Sequence, residues 1–171
     1  ETYESLDIEG EEPDYRQDIQ DMELDSGEYD TVFCRNVLEH VEEPRKAVSE
    51  IARVLRDGGK AVISVPHLAY LHKEPEDYYR FTEHGIEEIA SGTGLEVVEV
   101  REAGGLFSFM GYIFSTAVLG STYHVPLLSR LAYYLNFLVQ LSMVKADELT
   151  GNARFIPLNY VIVLRKSGEG L

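Results

Sequence analysis

The sequence predicts an α/β fold built on a mostly parallel sheet. Two observations support this. Short apolar runs alternate with helical patterns between residues 30 and 102, and glycine or proline separates the segments. The resulting order of strand, helix, strand, helix, strand is typical of sheets joined by right-handed crossovers. The 171 residues can enclose one hydrophobic core, so we treat residues 1–171 as a single domain.

The most readable elements lie in the middle of the chain. Tyr29–Cys34 is an apolar run of the kind expected for a strand buried on both faces. Pro44 opens a helix with apolar residues at helical spacing, and Asp57-Gly58-Gly59 ends it. The run Lys60–Val65, followed by proline, predicts the next strand.

Weaker patterns complete the set of elements. Thr82 is a suitable N-cap for a second helix, and the strand Leu95–Val100 follows it. A last strand is predicted at about 158–165. Near the amino terminus, Thr2–Leu6 and Tyr15–Gln17 have short strand-like patterns.

Residues 103–146 form a hydrophobic insertion before the last strand. No charged residue occurs from Ala103 to Ser129, and glycine, proline and small polar residues divide the stretch into segments near 106–119 and 127–144. Both are shorter than the roughly 20 apolar residues of a spanning helix. We therefore favour two helices that form a lid over a core or a substrate pocket. A hairpin that rests on a bilayer is the alternative.

Charge and cysteine content exclude several classes of function. Fifteen basic and 30 acidic residues give a net charge of −15, which argues against nucleic acid as a partner and against electrostatic attraction to anionic membranes. The single cysteine, Cys34, cannot form an internal disulfide, and its apolar surroundings predict a buried structural thiol. A cytoplasmic protein is expected. The oligomeric state is left open, with a homodimer as one option.

Polar residues follow several predicted strands, at the edge where α/β sheets bind ligands. Asp7 and Ile8 follow the first strand-like patch, and Asp18 and Ile19 follow the second. A carboxylate at a strand end can accept hydrogen bonds from a ribose diol or from an adenine amino group. The third group, after Cys34, runs from Arg35 to His40.

The order of these features closely resembles the class I S-adenosylmethionine-dependent methyltransferases, and among them the group that acts on small molecules. The likeness covers residues 3–102 and the last strand. Its most specific part is an aspartate-led strand, a Leu-Glu-His turn, a proline-started helix and a Leu-Arg-Asp-Gly-Gly stop, all within Tyr29–Gly59. The resemblance implies a Rossmann-like sheet with an antiparallel last strand and helices on both faces.

The resemblance also implies site residues and a cofactor, S-adenosylmethionine. Asp7 would bind the ribose hydroxyls and Asp18 the adenine amino group, with Ile8 and Ile19 beside them. The methionine portion would lie near Arg35 and Asn36. His40 would line the route from cofactor to acceptor. Polarity and packing at a helix start explain Glu39, and they explain His40 as well as the functional role does.

One family feature has no counterpart in the sequence. These methyltransferases carry a glycine-rich turn after their first strand, where the backbone meets the methionine carboxylate. That element would lie upstream of Thr2, so we expect an N-terminal strand and helix to be missing from the fold. We also expect this chain alone to bind the cofactor poorly.

The loop between the strand Lys60–Val65 and the helix that begins after Thr82 resembles the substrate-side loop of the same family. It supplies most of the candidate residues for acceptor contact or deprotonation, together with His40: His67, Tyr78, Tyr79 and Arg80. His72 lies in the same loop. No metal site is predicted, because no third ligand recurs at suitable spacing from His67 and His72. Arg80 could instead pair with Asp77 or Glu83.

The sequence thus predicts transfer of a methyl group from S-adenosylmethionine to a small-molecule acceptor. The aromatic residues of the insertion suggest that this acceptor is apolar. Three alternatives remain open: a non-catalytic binding domain that kept the sheet, a peripheral membrane protein that uses the 106–144 hairpin, and, more weakly, an oxidoreductase.

Overall fold

The structure is a computed structural model that describes residues 2–168. The chain divides into two compact units. The first contains the chain up to Pro66, Tyr70–Arg101 and the chain from Val161 onward; the second contains His67–Ala69 and Glu102–Tyr160. The elements, in chain order, are β1 (Tyr29–Arg35), a 3-10 turn (Leu38–His40), α1 (Pro44–Val54), β2 (Leu55–Pro66), α2 (Glu83–Ala90), β3 (Leu95–Ala103), α3 (Leu106–Thr122), α4 (Pro126–Thr150), a second 3-10 turn (Asn152–Arg154) and β4 (Asn159–Lys166).

The four strands form one mixed sheet in the order β1-β2-β4-β3. β1 and β2 are parallel, with Cys34 opposite Ile63. β4 is antiparallel to β3, because the amide of Leu158 donates to the carbonyl of Ala103 at one end and the amide of Ser167 donates to Gly94 at the other. The predicted α/β fold, mostly parallel with an antiparallel last strand, is confirmed.

The core lies between β2, β4 and the first two helices. α1 buries an apolar stripe that includes Val48 and Ile51, and α2 buries Ile86. The hydroxyl oxygen of Thr82 accepts a hydrogen bond from the Gly85 amide at 3.0 Å, which confirms the predicted N-cap. α1 ends at Val54, before the predicted stop at Asp57-Gly58-Gly59, because β2 begins at once, at Leu55. A shift in the pairing of β2 with β1 accommodates the glycine turn within the strand.

β1 differs from its prediction in burial. Only Cys34 is buried in this strand, and Phe33 is 71% exposed. The reason is its position: β1 is at the edge of the described sheet, so it has a strand neighbour on one side only. An apolar run indicates a strand but does not distinguish an edge from a centre.

The two strand-like patches near the amino terminus do not form strands. A single parallel bridge joins Leu6 and Tyr15. Two short segments that pair only with each other are marginal, since three or more strands or a covering helix are needed for stability. The chain that follows is held instead by side chains: Arg53 of α1 donates to the carbonyls of Met22 and Leu24 at 2.7 and 2.6 Å.

The second unit contains the helical hairpin formed by α3 and α4. Its helices occupy the predicted insertion, with α4 extending further than expected. Asp147 near the end of α4 accepts from the amides of Phe107 and Ser108 at 2.9 and 2.7 Å, and so caps the start of α3. Most of the apolar side chains of the hairpin are exposed, and its predicted role as a lid over a core or a substrate pocket stays a prediction.

Candidate active site at the carboxyl ends of β1 and β2

The carboxyl ends of the parallel strands β1 and β2 lie side by side. Asn36, the residue after β1, has a φ of +52°, a left-handed conformation that asparagine tolerates better than most residues. Its amide donates to the carbonyl of Ser64 at 3.0 Å, and the Ser64 hydroxyl donates to Asn36 Oδ1 at 2.8 Å. These bonds fix a polar residue at the edge where α/β sheets bind ligands.

Glu39 lies in the short turn that follows β1 and is completely buried. Neither carboxylate oxygen has a hydrogen-bond partner among the described residues. Burial raises the pKa of Glu39, and the nearby His40, His72 and Arg80 only partly oppose this. An unsatisfied buried carboxylate is costly, so it requires an explanation.

His40 stands next to this carboxylate. Its Nε2 atom is 3.8 Å from Glu39 Oε1, and its Nδ1 atom bonds to the backbone carbonyl of Glu76. Because a carbonyl can only accept, Nδ1 carries the proton and Nε2 keeps a lone pair when the ring is neutral. The ring also packs edge-on against His72, with centroids 4.8 Å apart.

The loop after β2 brings His72 to this position. Its backbone amide donates to Asp77 Oδ2 at 2.8 Å, and its Nδ1 lies 3.1 Å from the carbonyl of Tyr70. Asp77, whose side chain is 1% exposed, also accepts two bonds from Arg80, at 2.6 and 2.8 Å. The Arg80 guanidinium holds the pKa of the Asp77 carboxyl well below its usual range. Arg80 thus stabilises the loop, through one of the two pairings that the sequence suggested.

The two tyrosines of the loop pack against the turn after β1. The amides of Tyr78 and Tyr79 donate to the carbonyl of Glu39 at 2.8 and 3.3 Å, and the Tyr79 hydroxyl donates to the carbonyl of Glu42 at 2.8 Å. Both rings remain over one-third exposed, so they can contact a ligand. His67 belongs to the second unit, where its ring packs against Tyr160.

The residues predicted to hold the cofactor lie mainly in exposed loops. Asp7 Oδ1 accepts from the amides of Glu9 and Gly10 at 2.8 and 2.9 Å, and these bonds lower the pKa of the Asp7 carboxyl. Glu9 in turn pairs with Lys73 at 3.5 Å. This ion pair links the Asp7 turn to the loop after β2.

The second predicted carboxylate lies beside α1. Asp18 Oδ1 accepts from the Gln20 amide at 2.8 Å, and Gln20 Oε1 accepts from the Glu43 amide at the start of that helix. Ile19 is partly buried, whereas Ile8 and Arg35 are exposed. Within residues 2–168, no hydrogen bond or ion pair joins Asp7, Asp18 and Asn36 to one another. Their common adenosyl crevice stays a prediction.

Glu39 and His72 are more central to the candidate site than the sequence indicated. Glu39 was interpreted as helix-start polarity, and His72 was compared only with His67. The relevant signal was available: both residues follow parallel strands, and such strands end at one edge of a sheet. Combining the loop after β1 with the loop after β2 would have placed Glu39, His40 and His72 together.

Comparisons with known proteins test the family assignment. The methyltransferase-domain family matches residues 4–63. A phosphatidylethanolamine N-methyltransferase of Cereibacter sphaeroides is 33% identical over 110 residues, which cover 57% of this chain and 54% of that protein. The predicted kinship with class I S-adenosylmethionine-dependent methyltransferases is confirmed. A ubiquinone biosynthesis O-methyltransferase of Dechloromonas aromatica is 32% identical over 71 residues, 40% of this chain and 28% of that protein.

Solved structures show the same fold at low identity. An S-adenosylmethionine-dependent methyltransferase from Mesorhizobium loti aligns with a TM-score of 0.51 at 13% identity, over 87% of this chain and 67% of that one. The [4+2]-cyclase SpnF aligns with a TM-score of 0.53 at 17% identity, over 90% and 55%. A fold shared with a cyclase does not define a reaction. The methyltransferase-like chain also spans only about half the length, or less, of its two curated relatives.

Proposed function

We propose that the protein transfers a methyl group from S-adenosylmethionine to a small-molecule acceptor. The observation that carries this proposal is the convergence of Asn36, His40 and the loop after β2 at the carboxyl ends of two parallel strands. This is the edge at which α/β sheets bind ligands. The family assignment and the methyltransferase names of both curated relatives support the same reaction.

The residues of this chain suit the cofactor's chemistry. Hydrogen bonds from two backbone amides lower the pKa of Asp7 and so favour its carboxylate form, which can accept hydrogen bonds from ribose hydroxyls. Bound S-adenosylmethionine supplies a methyl group that its sulfonium already activates. The protein's task is then to orient the acceptor and exclude water, which can contribute about 7–11 kcal/mol to catalysis. Tyr78, Tyr79 and His40 line the acceptor side.

The test is an isothermal titration with S-adenosylmethionine, carried out on this chain and on the product of the complete natural reading frame. We expect binding by the complete product and weaker binding by the chain alone. Asp7→Asn should weaken the complete product's affinity by about tenfold, the value of one charge-assisted hydrogen bond. Asp25→Asn, which removes an exposed acid elsewhere, should not. A complete product that binds no cofactor would refute the proposal and favour a non-catalytic binding domain.

A second function is favoured by the helical hairpin. We propose that α3 and α4 insert into the surface of a lipid bilayer. α4 is long and apolar enough to cross a membrane by length and composition, and α3 is a shorter apolar helix. Between residues 103 and 144 the only charged side chain is Arg130, and charges resume at Lys145.

The exposure of the hairpin supports a bilayer over a single protein partner. Apolar side chains on several sides of α4 are each more than half exposed: Leu131, Tyr133, Tyr134, Leu135, Phe137 and Leu138. A helix that docks on one protein needs one apolar face, whereas a helix that is apolar on several sides suits a buried or lipid environment. Full burial of one such side chain contributes about 1.5–3 kcal/mol, so six half-exposed ones would contribute on the order of 5 kcal/mol.

The acceptor itself could come from the same bilayer. The name of the Cereibacter relative identifies its substrate as a phospholipid. A lipid-type acceptor for this protein would agree with the apolar acceptor that the sequence suggests. We also propose a cytoplasmic location, with access to the inner membrane surface. It is supported by the single buried cysteine, Cys34, which cannot form an internal disulfide and so suits a reducing compartment.

Flotation with neutral phosphatidylcholine vesicles tests the hairpin. We expect the wild-type chain to float with the vesicles and a Leu131→Glu/Leu138→Glu variant to stay in the dense fraction. Val98→Glu, which adds a charge at an exposed apolar position of the first unit, should float like the wild type. Failure of the wild type to float, together with a stable dimer in light scattering, would show that a second copy covers the hairpin instead.

A further inference from the structure

The unpaired carboxylate of Glu39 is the least explained feature of the candidate site. Its side chain is fully buried and both oxygens lack hydrogen-bond partners within the described residues. His40 Nε2, at 3.8 Å, is beyond hydrogen-bond distance. The neighbouring acid, Asp77, is neutralised by Arg80, so the charge of Glu39 has no equivalent close partner.

The two histidines beside Glu39 are arranged in the same way. Each uses Nδ1 for a backbone carbonyl, that of Glu76 for His40 and that of Tyr70 for His72. Each therefore presents Nε2 as a free lone pair. Metal-bound histidines almost always donate their other ring N–H to a carbonyl or carboxylate, because this bond sets the tautomer and the ring orientation.

We propose that Glu39, His40 and His72 bind a divalent transition-metal ion. One ligand atom from each residue lies within 4.8 Å of those of the other two. Ligands bound at about 2.0–2.2 Å approach one another to about 3.3 Å, so the side chains need to close by up to about 1.5 Å. The residues on either side of His72 in this loop, Leu71 and Lys73, are exposed.

The ligand types indicate which ion would bind. Two imidazoles and one carboxylate suit a borderline ion such as Zn²⁺ better than Mg²⁺ or Ca²⁺, which prefer oxygen ligands. Three protein ligands leave at least one coordination position open, as in catalytic zinc sites. The ion would also compensate the buried charge of Glu39.

The open position suggests a role for the ion. It would be filled by water or by an oxygen atom of the methyl acceptor, and the ion would hold that oxygen in place. This role depends on the proposed methyl transfer, but metal binding itself does not. The experiment therefore measures binding without cofactor or acceptor, so that failure of one proposal can be distinguished from failure of the other.

The test is a titration of the metal-free chain with Co²⁺, followed by visible absorption, and with Zn²⁺ in competition. We expect one Co²⁺ per chain, with d–d bands typical of nitrogen and oxygen ligands, and displacement by one equivalent of Zn²⁺. Glu39→Gln and His72→Gln should each lower the affinity by at least about tenfold, since loss of even a second-shell partner costs about 10–100-fold. His84→Gln, at an exposed histidine on α2, is the matched control.

Circular dichroism of each variant separates loss of a ligand from loss of the fold. Glu39→Gln is nearly isosteric and removes a buried charge, so this variant should stay folded. Folded Glu39→Gln and His72→Gln variants that bind Co²⁺ as tightly as the wild type would overturn the proposal. A wild-type chain without Co²⁺ bands would also overturn it, and would leave His40 as an unassisted base.

Discussion

The pair formed by Asp77 and Arg80 should control the stability of the loop after β2. The Asp77 carboxylate is buried and accepts three hydrogen bonds, two from Arg80 and one from the His72 amide. Asp77→Asn removes the charge and leaves only one acceptor oxygen, so at least one charge-assisted bond is lost, at about 1.5–3 kcal/mol. The other two bonds weaken. We expect the free energy of unfolding to fall by about 3 kcal/mol.

Urea denaturation followed by circular dichroism measures this change. The control is Glu88→Gln, which removes the acid of an exposed ion pair with Arg45 and should cost at most about 1 kcal/mol. Equal losses for the two variants would refute the claim that burial makes the Asp77 pair strong. An unchanged slope of the unfolding free energy against urea concentration would show that both variants expose the same surface area on unfolding as the wild type.

The same pair predicts a dependence on pH. Arg80 lowers the pKa of Asp77 in the folded state below its unfolded value of 3.8. The stabilisation is therefore fully present above that value and is lost as the pH falls through the lower folded pKa. The difference between wild type and Asp77→Asn should be constant from pH 5 to pH 7 and should shrink below about pH 4. A difference that grows on acidification would contradict this assignment.

Three further predictions concern local structure. Thr82→Ala should lower the free energy of unfolding by about 1 kcal/mol through loss of the α2 cap, and Thr82→Ser should nearly preserve it. Burial raises the pKa of the Cys34 thiol to about 12, so Ellman's reagent should label this thiol only after unfolding; fast labelling of the native chain would contradict its burial. Gly104→Ala should destabilise by more than 1 kcal/mol, because φ is +77° and the new methyl group would meet Leu158 at 2.9 Å. Gly120→Ala, at an uncrowded position of α3, should instead stabilise slightly in thermal unfolding.

The sequence predicted elements well where the signal was local. The start of α1 at Pro44 and the cap at Thr82 depend on residues within one helical turn, and both are found in the structure. Prediction failed where an element depends on its neighbours. The patch Thr2–Leu6 has a strand-like pattern, but in the structure it makes only one bridge, at Leu6.

The candidate site shows the same division. His40, Tyr78 and Tyr79 were selected from their positions after strands, and the structure brings them to one edge. The burial of Glu39 was not evident, and only the structure selects Asp77 over Glu83 as the partner of Arg80, because burial and pairing depend on how two loops pack. The hairpin is a further case: its apolar residues predicted helices, but apolar composition is equally consistent with a buried and an exposed pair.

The amino-acid sequence alone determined the class of fold and the family, and it predicted the strand edge at which a ligand should bind, because each follows from short patterns along the chain. Only the tertiary structure decided that β1 is at an edge, that the hairpin exposes its apolar surface, and that Glu39 is buried beside two histidines. These properties depend on contacts between segments distant in sequence, and no local pattern encodes a distance across the sheet edge.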